Sequence, residues 1–273
     1  MTAEPVVIAL HVPKCAGSTV EAHLKRHLGA GFWSAPKRTR KAPLELFGRK
    51  HAMPPPVEPS QIRAVSGHFI GRSLEAMFQG RPIHRSVLLR EPAALILSWY
   101  NYRMARYRAA GQATYPFGLH LRALPPDPVA HFLLERWLEK PWLRLAAMGR
   151  RDKRAALDTV LAGFDRVDDI AGADALVAEI SMLLAIPKTA ARENTKEEWE
   201  ARSDWRPMAL ADLEAHDRAA LDRRTRLDRY LWQRWARGED VDLDHTVVMP
   251  FLAAEIARPR AEIARRLARS RAT

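Results

Sequence analysis

The first twenty-eight residues constrain this 273-residue chain more than any other stretch. The apolar run Val6-Val7-Ile8-Ala9-Leu10 passes directly into His11-Val12-Pro13-Lys14-Cys15-Ala16-Gly17-Ser18-Thr19, and then into a helical pattern from Val20 to Leu28. A short run that is apolar at every position, rather than at alternate ones, suits a strand covered on both faces, as in a parallel sheet. The helix that follows begins beside a glycine turn and opens with Ser18-Thr19. Its first N–H groups have no acceptor inside the helix, and its dipole favours negative charge there. Lys14 adds a cation at the same place. No lysine follows Gly17, so this is not the G-x-x-x-x-G-K-[ST] phosphate loop of nucleotide-hydrolysing enzymes. From this segment alone two readings stand: an anion cradle, and an ordinary strand–helix turn with an exposed lysine.

A second constellation of the same kind follows. Ile62 to Ser66 is expected as a strand ending at Gly67-His68, and His84 to Leu89 as a third strand ending at Arg90-Glu91-Pro92. Proline suits the first turn of a helix, here running to about Ala109, with Ser98 two turns in and Tyr100 and Tyr102 beyond. In open parallel sheets, ligands sit outside the carboxyl ends of the strands. Arg90 and Ser98 can therefore share one phosphate, the guanidinium supplying a fork and the hydroxyl a further donor. The plainer alternative has Arg90 pair with Glu91 or cap a neighbour.

The rest of the chain reads as follows. Residues 34 to 60 are proline-rich and basic (Lys37, Arg38, Arg40, Lys41, Arg49, Lys50) and read as a long mobile loop; Gly111 to Pro128 also reads as loop. Beyond Val129 the patterns are almost wholly helical. Strands alternating with helices imply an α/β fold, a P-loop-like three-layer arrangement with a central parallel sheet flanked by helices and a helix-rich C-terminal half. With 44 Lys+Arg against 32 Asp+Glu, the net charge of +12 suggests an anionic partner. Ordinary apolar and charged content excludes disordered, collagenous and disulfide-scaffold classes. The single Cys15 forms no internal disulfide, and neither a signal peptide nor a membrane-spanning run is visible. A cytoplasmic protein is the expectation, and the abundance of Ala and Arg fits a GC-rich bacterial genome.

Taken together, these residues resemble a family. His11-Val12-Pro13-Lys14-Cys15-Ala16-Gly17-Ser18-Thr19 is similar to the H-x-P-K-x-[AG]-G-[ST] loop that holds the 5′-phosphosulfate in sulfotransferases using 3′-phosphoadenosine 5′-phosphosulfate (PAPS). The likeness is to the carbohydrate branch that includes heparan sulfate 2-O-sulfotransferases. Leu89-Arg90-Glu91-Pro92 with Ser98-Trp99-Tyr100 resembles that family's 3′-phosphate motif, and Val65-Ser66-Gly67-His68-Phe69 its G-H-[FV] strand end. Arg192-Glu193-Asn194-Thr195 and Asp228-x-Tyr230 resemble later elements. The chain departs from the family at Leu95, where an arginine is common. It departs again at Lys140-Pro141-Trp142-Leu143-Arg144, where only the arginine of the N-x-Q-x-R stretch remains.

The resemblance implies a single sulfotransferase domain over 1–240; the arginine-rich residues beyond it are expected as a basic helical tail at 241–273. It implies PAPS as donor, adenosine 3′,5′-bisphosphate (PAP) as product, no metal, and sulfonate transfer to a hydroxyl of a carbohydrate, glycolipid or other small acceptor. Pro13, Lys14, Cys15, Ala16, Gly17, Ser18, Thr19, Arg90, Ser98 and Asn194 would bind the donor, and Lys14 would stabilise charge on the leaving phosphate oxygen. His68 is expected as general base, because an imidazole titrates near neutral pH and this one leaves a strand on the same rim; the plainer alternative is a strand-end histidine whose imidazole is bonded to backbone. His11, Glu21 and Glu45 are the alternatives. Trp99, Tyr100, Tyr102 and Tyr107 stand between adenine stacking and core packing; Trp199, Trp205, Trp232 and Trp235 read as core or interhelix anchors. The basic loop and the segment Arg103 to Arg108 read either as a guide for an acidic acceptor or, more simply, as a solvated basic surface; the arginine-rich tail reads first as a frayed, solvated helix and otherwise as an amphipathic helix that touches an anionic membrane surface or a partner. Two other functions remain in view: a nucleotide-dependent kinase of similar topology, and a basic nucleic-acid-binding protein. The second would need a base-contacting signature, which the chain lacks.

Overall fold

The computed structural model describes residues 4–35, 57–140, 142–188, 204–241 and 253–269. Five parallel strands form one sheet: β1 (Val6–Leu10), β2 (Phe32–Ser34), β3 (Ala64–Gly67), β4 (Ile83–Leu89) and β5 (Arg166–Asp169), in the order β2-β3-β1-β4-β5. Helices flank this sheet, so the α/β architecture read from the sequence is the one observed. β1 is central and buried at all five positions, which is why its sequence has no polar face.

Along the chain the helices are α1 (Gly17–Leu28), α2 (Pro92–Ala109), α3 (Phe117–Arg122), α4 (Pro128–Phe132), α5 (Trp142–Ala147), α6 (Arg150–Leu161), α7 (Ala173–Leu183), α8 (Ala215–Arg224), α9 (Arg226–Leu231) and α10 (Ala253–Arg269). Two π-helical turns, Leu133–Trp137 and Trp232–Ala236, extend α4 and α9. α1 buries Val20 and Leu24 and packs on β3, β2 and α7. None of the described helices is long and apolar enough to cross a membrane.

Three expectations needed correction. The stretch read as loop between Gly111 and Pro128 contains α3, whose buried Phe117, Leu119 and Leu121 form a short core element. β2 lies just before and within the start of the presumed basic loop, while residues 36–56, including Glu45 and most of that loop's cations, fall outside the described residues. β5 was missed altogether, because its sequence Arg-Val-Asp-Asp has no apolar run. It is the outer strand beside β4, and edge strands commonly carry charge. Arg166 there is clamped by Asp168 and Glu179, each at 2.5 Å.

The C-terminal helix is not left standing in solvent. Ile256 and Ile263, seven residues apart, are buried, and α10 packs against α3 while Arg260 Nε donates to the Ala123 carbonyl at 3.0 Å. The two isoleucines are thus the apolar face of the helix, and the tail read as frayed and solvated is docked on the body of the protein.

Asp228 of the Asp228-x-Tyr230 segment has a structural role. Its two carboxylate oxygens accept from Val129 N at 3.0 Å and Ala130 N at 2.8 Å, capping α4. Asp127, just before α4, accepts from Leu227 N at 2.8 Å and so caps α9 in return. Burial and the mutual repulsion of the two carboxyl groups hold Asp228 well above the usual carboxylate range. Asp228→Ala would leave two N–H groups without acceptors at a site 2% exposed. The expected loss is about 2 kcal/mol or more of folding free energy, read from the denaturant midpoint.

Candidate active site

The sheet register assembles the site. Leu10, the last residue of β1, lies opposite Gly67 of β3 and Val87 of β4. His11 and His68 therefore leave adjacent strands together, and Arg90 leaves the strand on the other side. This is the switch point from which chain segments turn to opposite sides, where parallel sheets bind ligands.

His11 joins these segments. Its backbone N–H donates to Gly67 O at 3.2 Å, and its Nδ1–H donates to Glu21 Oε1 at 2.9 Å. Its ring lies so close over Gly17 that a Cβ there would overlap it. The glycine is thus required by a neighbouring ring, not by its own φ. Glu21 also accepts from Ser66 Oγ at 3.3 Å. Burial raises its pKa, but the bond from His11 and the nearness of both His11 and His68 win, leaving it below the ordinary value. Glu21, weighed as a base from sequence, is instead an anion engaged by His11. Its position four residues after Gly17, on the same helix face, was the available signal.

The loop itself is strained. Lys14 and Ala16 have φ of 67° and 56°, a conformation costing a non-glycine residue about 1–3 kcal/mol. Such turns aim successive N–H groups into one concavity suited to an anion. α1 has no side-chain cap, so the donors of Gly17 and Ser18 at its start face the same concavity. Pro13 and Ser18 are half-buried, and Thr19 is buried. Cys15 contributes only backbone here. Its side chain is 1% exposed within the core, and burial pushes its thiol pKa far up, so a thiolate role is excluded by the environment. A small cleft opens behind the loop, lined in part by His11, Gly17, Ser66 and Ser86.

Two cations meet at this rim. Arg90 Nη1 donates to the Lys14 carbonyl at 3.3 Å, and its Nε is buried without a hydrogen-bond partner among the described residues. Among the described residues Glu91 forms no ion pair with Arg90, although its charge favours the guanidinium; its carboxylate accepts from Ala93 N and Ala94 N at 3.1 and 2.6 Å, capping α2 ahead of Pro92. Lys14 Nζ lies 4.3 Å from the centroid of the Tyr102 ring. Burial and then the Arg90 guanidinium push the Lys14 pKa down to about 8. Burial likewise lowers that of Arg90. Two partly desolvated cations thus share this rim, the charge of Arg90 being favoured by the Glu91 and Asp169 carboxylates.

His68 Nδ1 lies 2.6 Å from the His11 carbonyl oxygen. A carbonyl only accepts, so Nδ1 carries the hydrogen and the basic lone pair of the neutral ring is on Nε2. The His11 and His68 rings are 4.1 Å apart. Ser98 is half-buried on α2, and no hydrogen bond joins it to Arg90 among the described residues. Asn194 and Trp199 lie outside the described residues. The aromatic group divides. Tyr100 is core, donating to Tyr115 O at 2.7 Å, whereas Tyr102 sits under Lys14 and Trp99 under Arg103. Trp205, Trp232 and Trp235 are anchors: their indole N–H groups donate to Asn101, Asp169 and Asp158. Among the described residues, no three His, Cys, Asp or Glu side chains cluster as a metal site.

Compared with known proteins, the chain matches no family model, no curated protein and no solved structure.

The crowding of Lys14 has a measurable cost in the ligand-free protein. Its folded pKa of about 8 is below the model-peptide value of 10.5, so between those pH values the unfolded chain binds a proton that the folded one does not. The cost is fully present below about pH 8 and fades as pH rises toward 10.5. Lys14→Met is therefore expected to raise the melting temperature by a few degrees at pH 7, with the gain shrinking at pH 9.5. A gain independent of pH would mean that charge burial is not its source.

Proposed function

We propose that this protein transfers a sulfonate group from PAPS to an acceptor hydroxyl. The supporting observation is the convergence, at one rim, of Lys14, the unpartnered Nε of Arg90, and a histidine whose basic nitrogen is set by a backbone carbonyl. The loop from Pro13 to Thr19 fits an anionic diester-like group through its N–H concavity. Arg90 and Ser98 are assigned to the 3′-phosphate, with Asn194 added from the sequence resemblance.

In this reaction the acceptor oxygen forms a bond to sulfur as the bond from sulfur to the 5′-phosphate oxygen breaks, and the electron pair goes to that phosphate oxygen. Lys14 and the Gly17 and Ser18 N–H groups stabilise the charge where it grows, in a partly desolvated place where such interactions act strongly. The acceptor proton passes to His68 Nε2. The imidazolium so formed keeps its Nδ1–H on the His11 carbonyl and lies near the Glu21 carboxylate, which stabilises it. Positioning therefore comes from β1, β3 and α1 together, a rigid support for a base.

PAP is expected to bind with a micromolar dissociation constant in calorimetry; no binding would overturn the donor assignment. Arg90→Ala should weaken PAP tenfold to about a hundredfold and adenosine 5′-phosphate much less, as expected for loss of a charged hydrogen bond. Equal weakening of both would place Arg90 on the 5′ side, beside the Lys14 carbonyl it already contacts.

His68→Ala should lower kcat about 10²–10⁴-fold with PAP affinity nearly unchanged. Lost PAP affinity would instead make His68 part of the donor site, and unaltered kcat would exclude it as the base.

A further inference from the structure

The sheet row just short of the anion loop is built of small residues. Ala9 of β1 stands in register between Ser66 of β3 and Ser86 of β4, and residues level with one another in a parallel sheet face the same side. That is the α1 side, where Ser66 Oγ donates to Glu21. Three short side chains leave the space beneath α1 unfilled. The cleft behind the loop is this space, about 10 Å3 of room bounded by Gly17 and Val20 of α1, by Leu176 of α7 and by Cys15. Such a volume admits one water molecule and nothing larger.

Ser86 supplies the polar demand. It is 1% exposed, and its Oγ has no hydrogen-bond partner among the described residues. A buried hydroxyl in that condition costs free energy, and native cores meet the need with a protein or a water partner. Ser66, His11 and Cys15 bring further polar atoms to the same lining. Ser66 Oγ spends its hydrogen on Glu21 and keeps lone pairs to accept with.

We infer that this space is a binding site for a single internal water, which accepts the Ser86 hydroxyl hydrogen and donates in turn to acceptors on the facing wall. The water ties β4 to the underside of the loop from Lys14 to Gly17. Ser86 then supports the loop from behind, away from the side that faces a ligand. The inference stands whether or not the protein transfers sulfonate.

The test uses the full chain, with water itself as the probe. Oxygen-17 magnetic relaxation dispersion counts internal waters that exchange slowly with the bulk. Ser86→Val, which removes the hydroxyl and fills the space with methyl groups, is expected to lower that count by about one. Ser86→Ala, which removes the hydroxyl and keeps the space, should lower the melting temperature by a few degrees, because the water loses a partner. In a dry space the same substitution would relieve an unsatisfied hydroxyl and raise the melting temperature. An unchanged water count in Ser86→Val, or an unchanged or raised melting temperature in Ser86→Ala, would overturn the inference. Should Ser86→Val fail to fold, high-resolution electron density of the unaltered protein decides in its place. A water within about 3 Å of Ser86 Oγ supports the assignment, and no density there overturns it.

Discussion

The His11 side chain and backbone hold three elements in one arrangement. Its N–H closes on the end of β3, its carbonyl holds the His68 ring, its Nδ1–H holds Glu21 on α1, and its ring occupies the space where Gly17 would otherwise carry a methyl group. Each of these bonds is ordinary in strength, about 1 kcal/mol net, or somewhat more for the one to a carboxylate. They matter jointly, because the left-handed Lys14 and Ala16 persist only where the surroundings over-determine them. Remove the central ring and the loop has no reason to keep its concave shape.

Around that frame burial lowers the pKa of both Lys14 and Arg90, while the Glu91 carboxylate caps α2 and, with Asp169, favours the Arg90 charge. On the function proposed above, this local cost places desolvated positive charge ahead of an anion, which lowers the reorganisation needed when charge moves. The scaffold offsets the cost with a fully buried β1 and with the reciprocal Asp127–Asp228 caps.

The same economy shows in α2. One helix contributes Tyr100 to the core, Tyr102 to Lys14 and Trp99 to Arg103, because successive residues on a helix point about 100° apart. A single element thus fills the core with Tyr100 and backs two separate cations with Tyr102 and Trp99, and its rigidity ties those places to one another.

Much of this was legible in the chain. An unbroken apolar pentapeptide demands a two-sided cover and so a central parallel strand; a glycine turn before Ser18-Thr19 starts a helix; Arg90-Glu91-Pro92 begins another, with the acid as cap. These are local rules, read from neighbours in sequence. What only the tertiary structure decided depends on residues far apart meeting. Gly17 is needed because of the His11 ring, Glu21 is engaged by that ring instead of acting alone, and the His68 tautomer follows from a carbonyl 57 residues earlier. Cys15 faces the core although its neighbours face the ligand side. β5 owes its place to sheet-edge pairing and leaves no apolar run in the sequence, whereas α10 was legible as a basic helix and only its docking through Ile256 and Ile263 was not. Period and turn chemistry determined which elements exist. The register of Leu10 against Gly67 and Val87 decided which of their side chains share a site, because that register is set by the packing of the whole sheet.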